Sequence, residues 1–338
     1  MKLSWRYIVV LAAGLLAASC SGTVDAPEEN LLVPIPQGFP RLPVPADNQL
    51  TADRIELGRR LFFDRRLSST NEVACGNCHL QEHAFADPLK TSIGVHGRTG
   101  TRNAPMLVNM AYNTSFFWDG GAPTLEQQAI APIINPLEMD MKLEDVVARL
   151  KEDPVYVDLF KRAYDMEPKP EGVTKAIASF VRTMVSGNSR YDRFERGDAS
   201  ALNESEIRGM NLFFGERAEC FHCHIGFNFT NNKFQHNGFY LDGEDKGRFL
   251  VTENPIDIGS FKVPSLRNVG VTAPYMHDGS LATLEDVIDH YMSGGKGHPN
   301  TDPVIRAFEL TDDEKADLVA FLRSLTDEEF LRNEKFRP

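Results

Sequence analysis

The sequence predicts an all-α protein built from two homologous tandem domains joined by long loops. Three observations predict it. Seven segments carry helical apolar spacing, continuous alternating strands are absent, and one block of motifs occurs twice. The chain has 338 residues, enough for two domains with proper cores. Thirty-six basic against 48 acidic residues give a net charge of −12, which argues against nucleic acid as a partner. After the N-terminus no apolar run is long enough to span a bilayer.

Taken in order, residues 1–20 carry Lys2 and Arg6, an apolar stretch over 7–18, and then Ser19-Cys20. A basic flank, a short apolar run and small residues before the cut describe a signal peptide over 1–19. The small residues running up to a cysteine resemble a bacterial lipobox, so we expect a lipoprotein-type signal and a lipid anchor on Cys20. A plain cleaved signal is the alternative. Either form places the protein on the periplasmic side of a bacterial envelope, and possession of the anchor would make it an outer-membrane lipoprotein. Removal of Trp5 with the signal leaves Trp118 as the only tryptophan. Residues 20–50 hold Pro27, Pro34, Pro36, Pro40, Pro43 and Pro45 without apolar periodicity, which reads as an extended tether.

Helices are expected at 52–61, 124–131, 143–151, 173–185, 204–213, 283–291 and 311–325. Thr124 and Thr283 suit N-caps, and Thr311-Asp312-Asp313-Glu314 is a capping box. The repeat pairs Gly58, Leu61, Phe62 and Phe63 with Gly209, Leu212, Phe213 and Phe214. Pro105, Leu107 and Asn109 match Pro264, Leu266 and Asn268. Trp118-Asp119-Gly120 matches His277-Asp278-Gly279, and Thr124-Leu125-Glu126 matches Thr283-Leu284-Glu285, all at an offset of 159 residues. Phe180-Val181-Arg182-Thr183 pairs with Phe321-Leu322-Arg323-Ser324. The expected domains are therefore 51–192 and 193–338.

Four cysteines remain after Cys20, in Cys75-Gly76-Asn77-Cys78-His79 and Cys220-Phe221-His222-Cys223-His224. Each is C-x-x-C-H, the attachment motif of c-type haem. Two thiols on one turn add to the two vinyl groups of a porphyrin, and the adjacent imidazole is held against the iron. A zinc ribbon needs its two cysteine pairs far closer than the 141 residues that intervene here. Thioredoxin-like pairs or neighbour disulfides leave the repeated histidine unexplained. The expectation is two tandem cytochrome c-like haem domains, with two covalent haem c groups and His79 and His224 as proximal ligands.

With these motifs the chain resembles the bacterial di-haem cytochrome c peroxidase and MauG family over nearly its whole mature length. The most specific stretches are Arg102-Asn103-Ala104-Pro105, Phe117-Trp118-Asp119-Gly120, Asn135-Pro136-Leu137-Glu138-Met139 and Ala273-Pro274-Tyr275-Met276-His277-Asp278-Gly279. The resemblance implies that one haem handles peroxide, the other relays electrons, and a calcium ion lies between them. It implies Glu138 as the distal carboxylate of the N-terminal haem. Splitting peroxide requires a proton to move from the near oxygen to the departing one, which a pocket carboxylate can do. Gln128 corresponds to the family's pocket amide, Pro132 shapes the distal face, and Trp118 bridges the haems. Asn103 and the carbonyls of Thr272 and Pro274 correspond to the calcium site, an all-oxygen set suited to a hard cation.

For the C-terminal haem, better-known peroxidases of the family carry a methionine fourteen residues after the histidine of His-Asp-Gly. Here that position is Tyr291, and Asp289-His290-Tyr291 resembles members with a tyrosinate ligand. Anionic oxygen lowers the potential relative to thioether sulfur. Met292 keeps the methionine reading open, whereas Met276 is expected in the core and His290 on the surface. For the N-terminal haem, Val95 occupies the slot of the family's displaceable histidine, and His96 falls one residue beyond it. That slip would turn His96 away and leave the iron open to peroxide. His83 is expected on the surface.

The functional expectation is a peroxidase that reduces hydrogen peroxide to water with electrons from a small periplasmic donor such as cytochrome c or a cupredoxin. Two alternatives remain: peroxide-dependent oxidation of a partner protein residue, or a non-catalytic di-haem electron carrier with no use for Glu138. The resemblance also implies a homodimer.

Overall fold

The computed structural model describes residues 32–338 apart from residue 242, so the expected signal peptide 1–19 and Cys20 lie outside the described residues. Among the described residues no helix is long and apolar enough to cross a membrane. The chain is mostly helical. Its helices are α1 (Ala52–Phe63), α2 (Cys75–Cys78), α3 (Leu125–Gln128), α4 (Ile130–Ile134), α5 (Leu143–Lys151), α6 (Pro154–Tyr164) and α7 (Pro170–Arg182). There follow α8 (Arg190–Glu195), α9 (Glu204–Phe213), α10 (Phe249–Thr252), α11 (Leu284–Met292), α12 (Asp312–Ser324) and α13 (Glu328–Arg332). The sheet among the described residues is one antiparallel pair of two-residue strands, β1 (Phe234–Gln235) and β2 (Phe261–Lys262).

Local chemistry sets the helix starts. Thr51, Thr124, Thr283 and Thr311 each accept a backbone N–H with the side chain, and Thr283 and Thr311 complete capping boxes. The expected helix at 124–131 is two short pieces broken at Ala129. Helix α6 is not among the expected helices. Asp153 as N-cap and Pro154 in the first turn decide for helix, burying Tyr156, Leu159, Phe160 and Ala163.

Two helix crossings repeat across the chain. In the first, a Cβ on Gly58 of α1 would stand 1.9 Å from the carbonyl oxygen of Ala176 in α7 and 2.9 Å from Phe180 Cβ. In the second, a Cβ on Gly209 of α9 would stand 1.9 Å from the Asp317 carbonyl in α12 and 2.9 Å from Phe321 Cβ. Only glycine lets helix backbones approach so closely. Phe62 meets Phe180 at 5.4 Å, and Phe213 meets Phe321 at 5.2 Å. Each crossing sits in its own hydrophobic cluster.

The clusters do not follow the sequence halves strictly. Phe330 and Phe336, at the end of the chain, are buried in the first cluster against Phe85. Tyr191 packs with the second cluster, and Asp192 makes a buried ion pair with Arg267 at 2.9 Å. The tether reading of 20–50 is corrected over its described part. Residues 32–50 form neither helix nor strand, with turns at 37–38 and 46–48, but Val33, Leu42 and Leu50 are buried, and Phe39 packs 4.6 Å from Phe227 with Arg267 over its ring. Prolines exclude helix without excluding burial, and the apolar residues between them make this segment a strap.

Candidate active site

The N-terminal motif is a single turn, α2, with His79 immediately after it. His79 Nδ1 donates to the Phe85 carbonyl at 2.6 Å, which fixes the tautomer and leaves Nε2 free as a ligand atom. Burial keeps that imidazole's pKa below its usual value, hence neutral. Cys75 is a free thiol pushed up to about 12 by burial, then by the neighbouring Cys78 and by Glu138. Cys78 is pushed up to about 11, burial first, with Asp87 and Glu138 adding to it.

Glu138 is therefore close enough to act electrostatically on both thiols. It sits in a loop folded back by Met139 N–H to the Pro132 carbonyl at 3.2 Å. Val95 N–H donates to the Glu138 carbonyl at 2.7 Å, and Gly94 lies so close that a Cβ there would come 2.7 Å from Glu138 Cα. Asn135 Nδ2 donates to Glu138 Oε1 at 2.7 Å, yet burial outweighs it and raises the carboxyl above its ordinary value. Asn135 belongs to the Asn-Pro-Leu-Glu-Met stretch, but its role as the carboxylate's partner was not evident in the sequence. Gln128 closes α3, half-buried, and Pro132 lies within α4. Val95 is buried in the first cluster, and His96 is exposed with a left-handed backbone, φ 59°.

The second motif repeats the arrangement. His224 Nδ1 donates to the Phe229 carbonyl at 3.1 Å, and burial depresses its pKa to about 4. Cys220 and Cys223 are free thiols, both raised by burial, Cys220 to about 12. All three line a cavity of about 260 Å³ together with Trp118, Tyr291 and Met276. Burial pushes the Tyr291 phenol up to about 12, with the two cysteines adding to the rise. Met292, one residue on, packs into the second hydrophobic cluster.

Three placements differ from expectation. Met276 lines the cavity with a left-handed backbone, φ 71°, its Sδ accepting from Asn237 Nδ2 at 3.3 Å. His290 is half-buried, its ring 4.9 Å from Phe239 and its Nε2 at 3.0 Å from the Asn237 carbonyl. His83 is half-buried too, with Nδ1 at 3.0 Å from the Val271 carbonyl. Asn237, which touches Met276, His290 and Tyr291, lies outside the repeated motifs.

Trp118 stands between the two halves, half-buried. Its Nε1 donates to the Asn103 carbonyl at 2.9 Å, and its own carbonyl accepts from Lys262 N–H at 2.7 Å. Behind it Arg102 bonds Asp119 at 2.5 Å and Asp245 at 2.6 Å. Asn103, Thr272 and Pro274 share the wall of the same cavity. Asn103 Nδ2 donates to the carbonyls of Leu89 and Asp87, which commits the amide nitrogen and leaves the Oδ1 as the free end.

The residues present fit two covalently held porphyrins. Each motif offers two unpaired thiols and one neutral imidazole with a fixed tautomer, and the second faces a large apolar-walled cavity.

Comparison with known proteins gives the same picture. The family model for di-haem cytochrome c peroxidase matches residues 52–200. The chain is 39% identical over 334 residues to methylamine utilization protein MauG of Methylorubrum extorquens, covering 96% of this chain and 94% of that protein. It is 38% identical over 292 residues to cytochrome c551 peroxidase of Nitrosomonas europaea, covering 85% and 84%. Among solved structures, a MauG-like protein associated with microbial copper homeostasis superposes with a TM-score of 0.85 at 37% identity, covering 89% of this chain and 97% of that one.

Proposed function

The chain belongs to the di-haem cytochrome c peroxidase family, and from that premise we propose that it is a periplasmic enzyme reducing hydrogen peroxide to water with electrons from a small donor such as cytochrome c. Relatives named cytochrome c peroxidase are oxidoreductases acting on hydrogen peroxide, and the family implies two c-type haems. Cys75, Cys78 and His79 would hold one haem, and Cys220, Cys223, His224 and Tyr291 the other. When bound, the first haem would supply the redox-active iron that peroxide reduction needs.

The protein's own residues would do the rest. Glu138, beside the first motif, takes the proton from the near oxygen of peroxide and returns it to the departing one. Burial lifts its carboxyl toward the working pH, which suits a group that must both accept and give a proton. Asn135 holds it in place, and Gln128 and Pro132 bound the pocket. Burial of Val95 with exposure of His96 supports a first site without a competing histidine. Trp118 relays oxidising equivalents between the halves, and Asn103 Oδ1 with the carbonyls of Thr272 and Pro274 would hold a calcium ion, an all-oxygen set suited to a hard cation.

The observation that carries this reading is a half-buried carboxylate, fixed by Asn135 and by the backbone of Gly94 and Val95, near enough to the first C-x-x-C-H turn to act on both of its thiols. A permanently six-coordinate electron carrier has no need to keep such a group there. Tyr291 in the wall of the second cavity, with Met292 packed away from it, favours one further reading: oxidation of a residue on a partner protein. Steady-state turnover with reduced cytochrome c and hydrogen peroxide separates the two. Brisk turnover supports the peroxidase, and negligible turnover despite a peroxide-induced spectral change rejects it in favour of partner oxidation.

A further inference from the structure

A second cavity, of about 250 Å³, shares Asn237, Phe261 and His277 with the first, and Tyr240 forms part of its wall. Tyr240 donates its phenolic hydrogen to Asp278 Oδ2. In the repeat, Asp278 is the counterpart of Asp119, yet the two carboxylates are engaged differently. Asp119 is tied to the Arg102 guanidinium, whereas Asp278 meets the Tyr240 phenol and the Ser280 backbone N–H. The phenol-bonded carboxylate is placed to receive that phenol's proton.

Rings lead from Tyr240 to the second motif's cavity in three short steps. Tyr240 lies 4.8 Å from Phe239, Phe239 lies 4.9 Å from His290, and His290 lies 5.0 Å from Tyr291. A second route runs through His277, 5.8 Å from Tyr240 and stacked at 3.6 Å on Phe261. The Lys296 ammonium stands 5.6 Å from the Tyr240 ring and 4.9 Å from that of Phe239. A cation there opposes a positively charged ring, so an electron can leave Tyr240 cheaply only if its proton leaves as well.

We propose that Tyr240 is a proton-coupled redox relay through which electrons from the second cavity reach the peroxide-oxidised protein. Tyr240 gives up one electron along the ring ladder, cancelling one of the two oxidising equivalents that hydrogen peroxide delivers. Its O–H bond breaks, the proton passes to the Asp278 carboxylate, and a neutral tyrosyl radical remains. A one-electron reductant at the cavity then returns the electron, and Asp278 returns the proton. Burial pushes the Asp278 carboxyl up, but the hydrogen bonds from Tyr240 and Ser280 and the neighbouring His277 outweigh it, so the group is a carboxylate at neutral pH. This relay rests on the proposed peroxide chemistry.

The test is freeze-quench electron paramagnetic resonance of the haem-loaded protein after one equivalent of hydrogen peroxide without reductant, alongside optical spectra. The expected result is a tyrosyl signal that narrows when the protein is grown on ring-deuterated tyrosine. Tyr240→Phe, which keeps the ring, should lower its yield by roughly tenfold or more, and Asp278→Asn, which leaves the phenol in place, should do the same. A tyrosyl signal of full intensity in Tyr240→Phe, or none in the unsubstituted protein despite a normal optical response, overturns the relay while leaving the peroxide reading standing. Full yield in Asp278→Asn overturns Asp278 as proton acceptor. No optical response to peroxide at all removes both readings.

Discussion

Glu138 is held by one side-chain N–H, from Asn135, in surroundings that raise its carboxyl pKa through burial. An acid raised on folding binds its proton more tightly in the native state. Its contribution to stability is therefore present at low pH and is lost as pH rises through the folded pKa. Glu138→Gln removes that ionisation, so its thermal midpoint at pH 8 should equal or exceed that of the parent. The same variant should lose about 10²–10⁴-fold in the rate of peroxide reaction, read by stopped-flow absorbance. A lower midpoint would mark Glu138 as structural instead. Because proton abstraction needs the carboxylate, the parent's rate should climb with pH about a midpoint above the ordinary glutamate value. At the other motif, on the proposed ligation by Tyr291, Tyr291→Met should raise the centre's reduction potential, since a thioether would replace tyrosine oxygen, whereas Met292→Leu should leave potential and spectrum unchanged. Spectroelectrochemistry of both variants checks this.

The repeated elements permit paired experiments within one chain. Gly58→Ala and Gly209→Ala each drive a Cβ to 1.9 Å from a backbone carbonyl oxygen in the crossing helix, where no flexible side chain can yield. Each should destabilise by about 3 kcal/mol or more, through forced separation of the helices. Gly100→Ala, with open space around it, should stay within about 0.5 kcal/mol in the same thermal or urea unfolding measurement. The duplicated Glu–Arg pair contrasts in burial. Arg182 Nη2 donates to Glu126 at 2.9 Å in the interior, whereas Arg323 meets Glu285 at 3.2 Å in solvent. Arg182→Met leaves Glu126 buried without its cation and should cost about 3–5 kcal/mol. Arg323→Met should cost about 0–1 kcal/mol.

At the scale of the whole molecule, the two halves are tied by segments that cross between them. The buried connection around 184–189 is clamped from both sides. Asn109 Nδ2 donates to the Ser186 carbonyl, Asn268 Nδ2 donates to Ser186 Oγ, and Asp327 accepts from Ser186 Oγ and from the N–H groups of Gly187 and Asn188. Beyond Asp327 the chain returns to fill the first cluster with Phe330 and Phe336. Deleting residues 328–338 should therefore weaken the N-terminal half, to which the deleted residues do not belong in sequence. Hydrogen exchange should show lost protection in α1 and α7 with α9 and α12 much less affected. Equal loss in both helix pairs would show instead that the halves unfold only together.

The sequence alone determined the features that local chemistry dictates. These are the two C-x-x-C-H turns, the threonine-capped helices α3, α11 and α12, and the repeat that pairs Gly58 with Gly209, because thiol spacing, capping and apolar period are properties of a few adjacent residues. Motif context singled out Val95, Glu138 and Trp118 as candidates. Tertiary structure decided what depends on residues far apart in the chain. It folded 32–50 down as a strap and sent Phe330 and Phe336 into the opposite half. It turned Met276 into the cavity and gave His83 and His290 partners. It also set Tyr240 against Asp278, two residues 38 apart whose pairing no periodicity records. Burial and partner choice are the physical quantities that settle such roles, and both exist only once the chain has closed on itself.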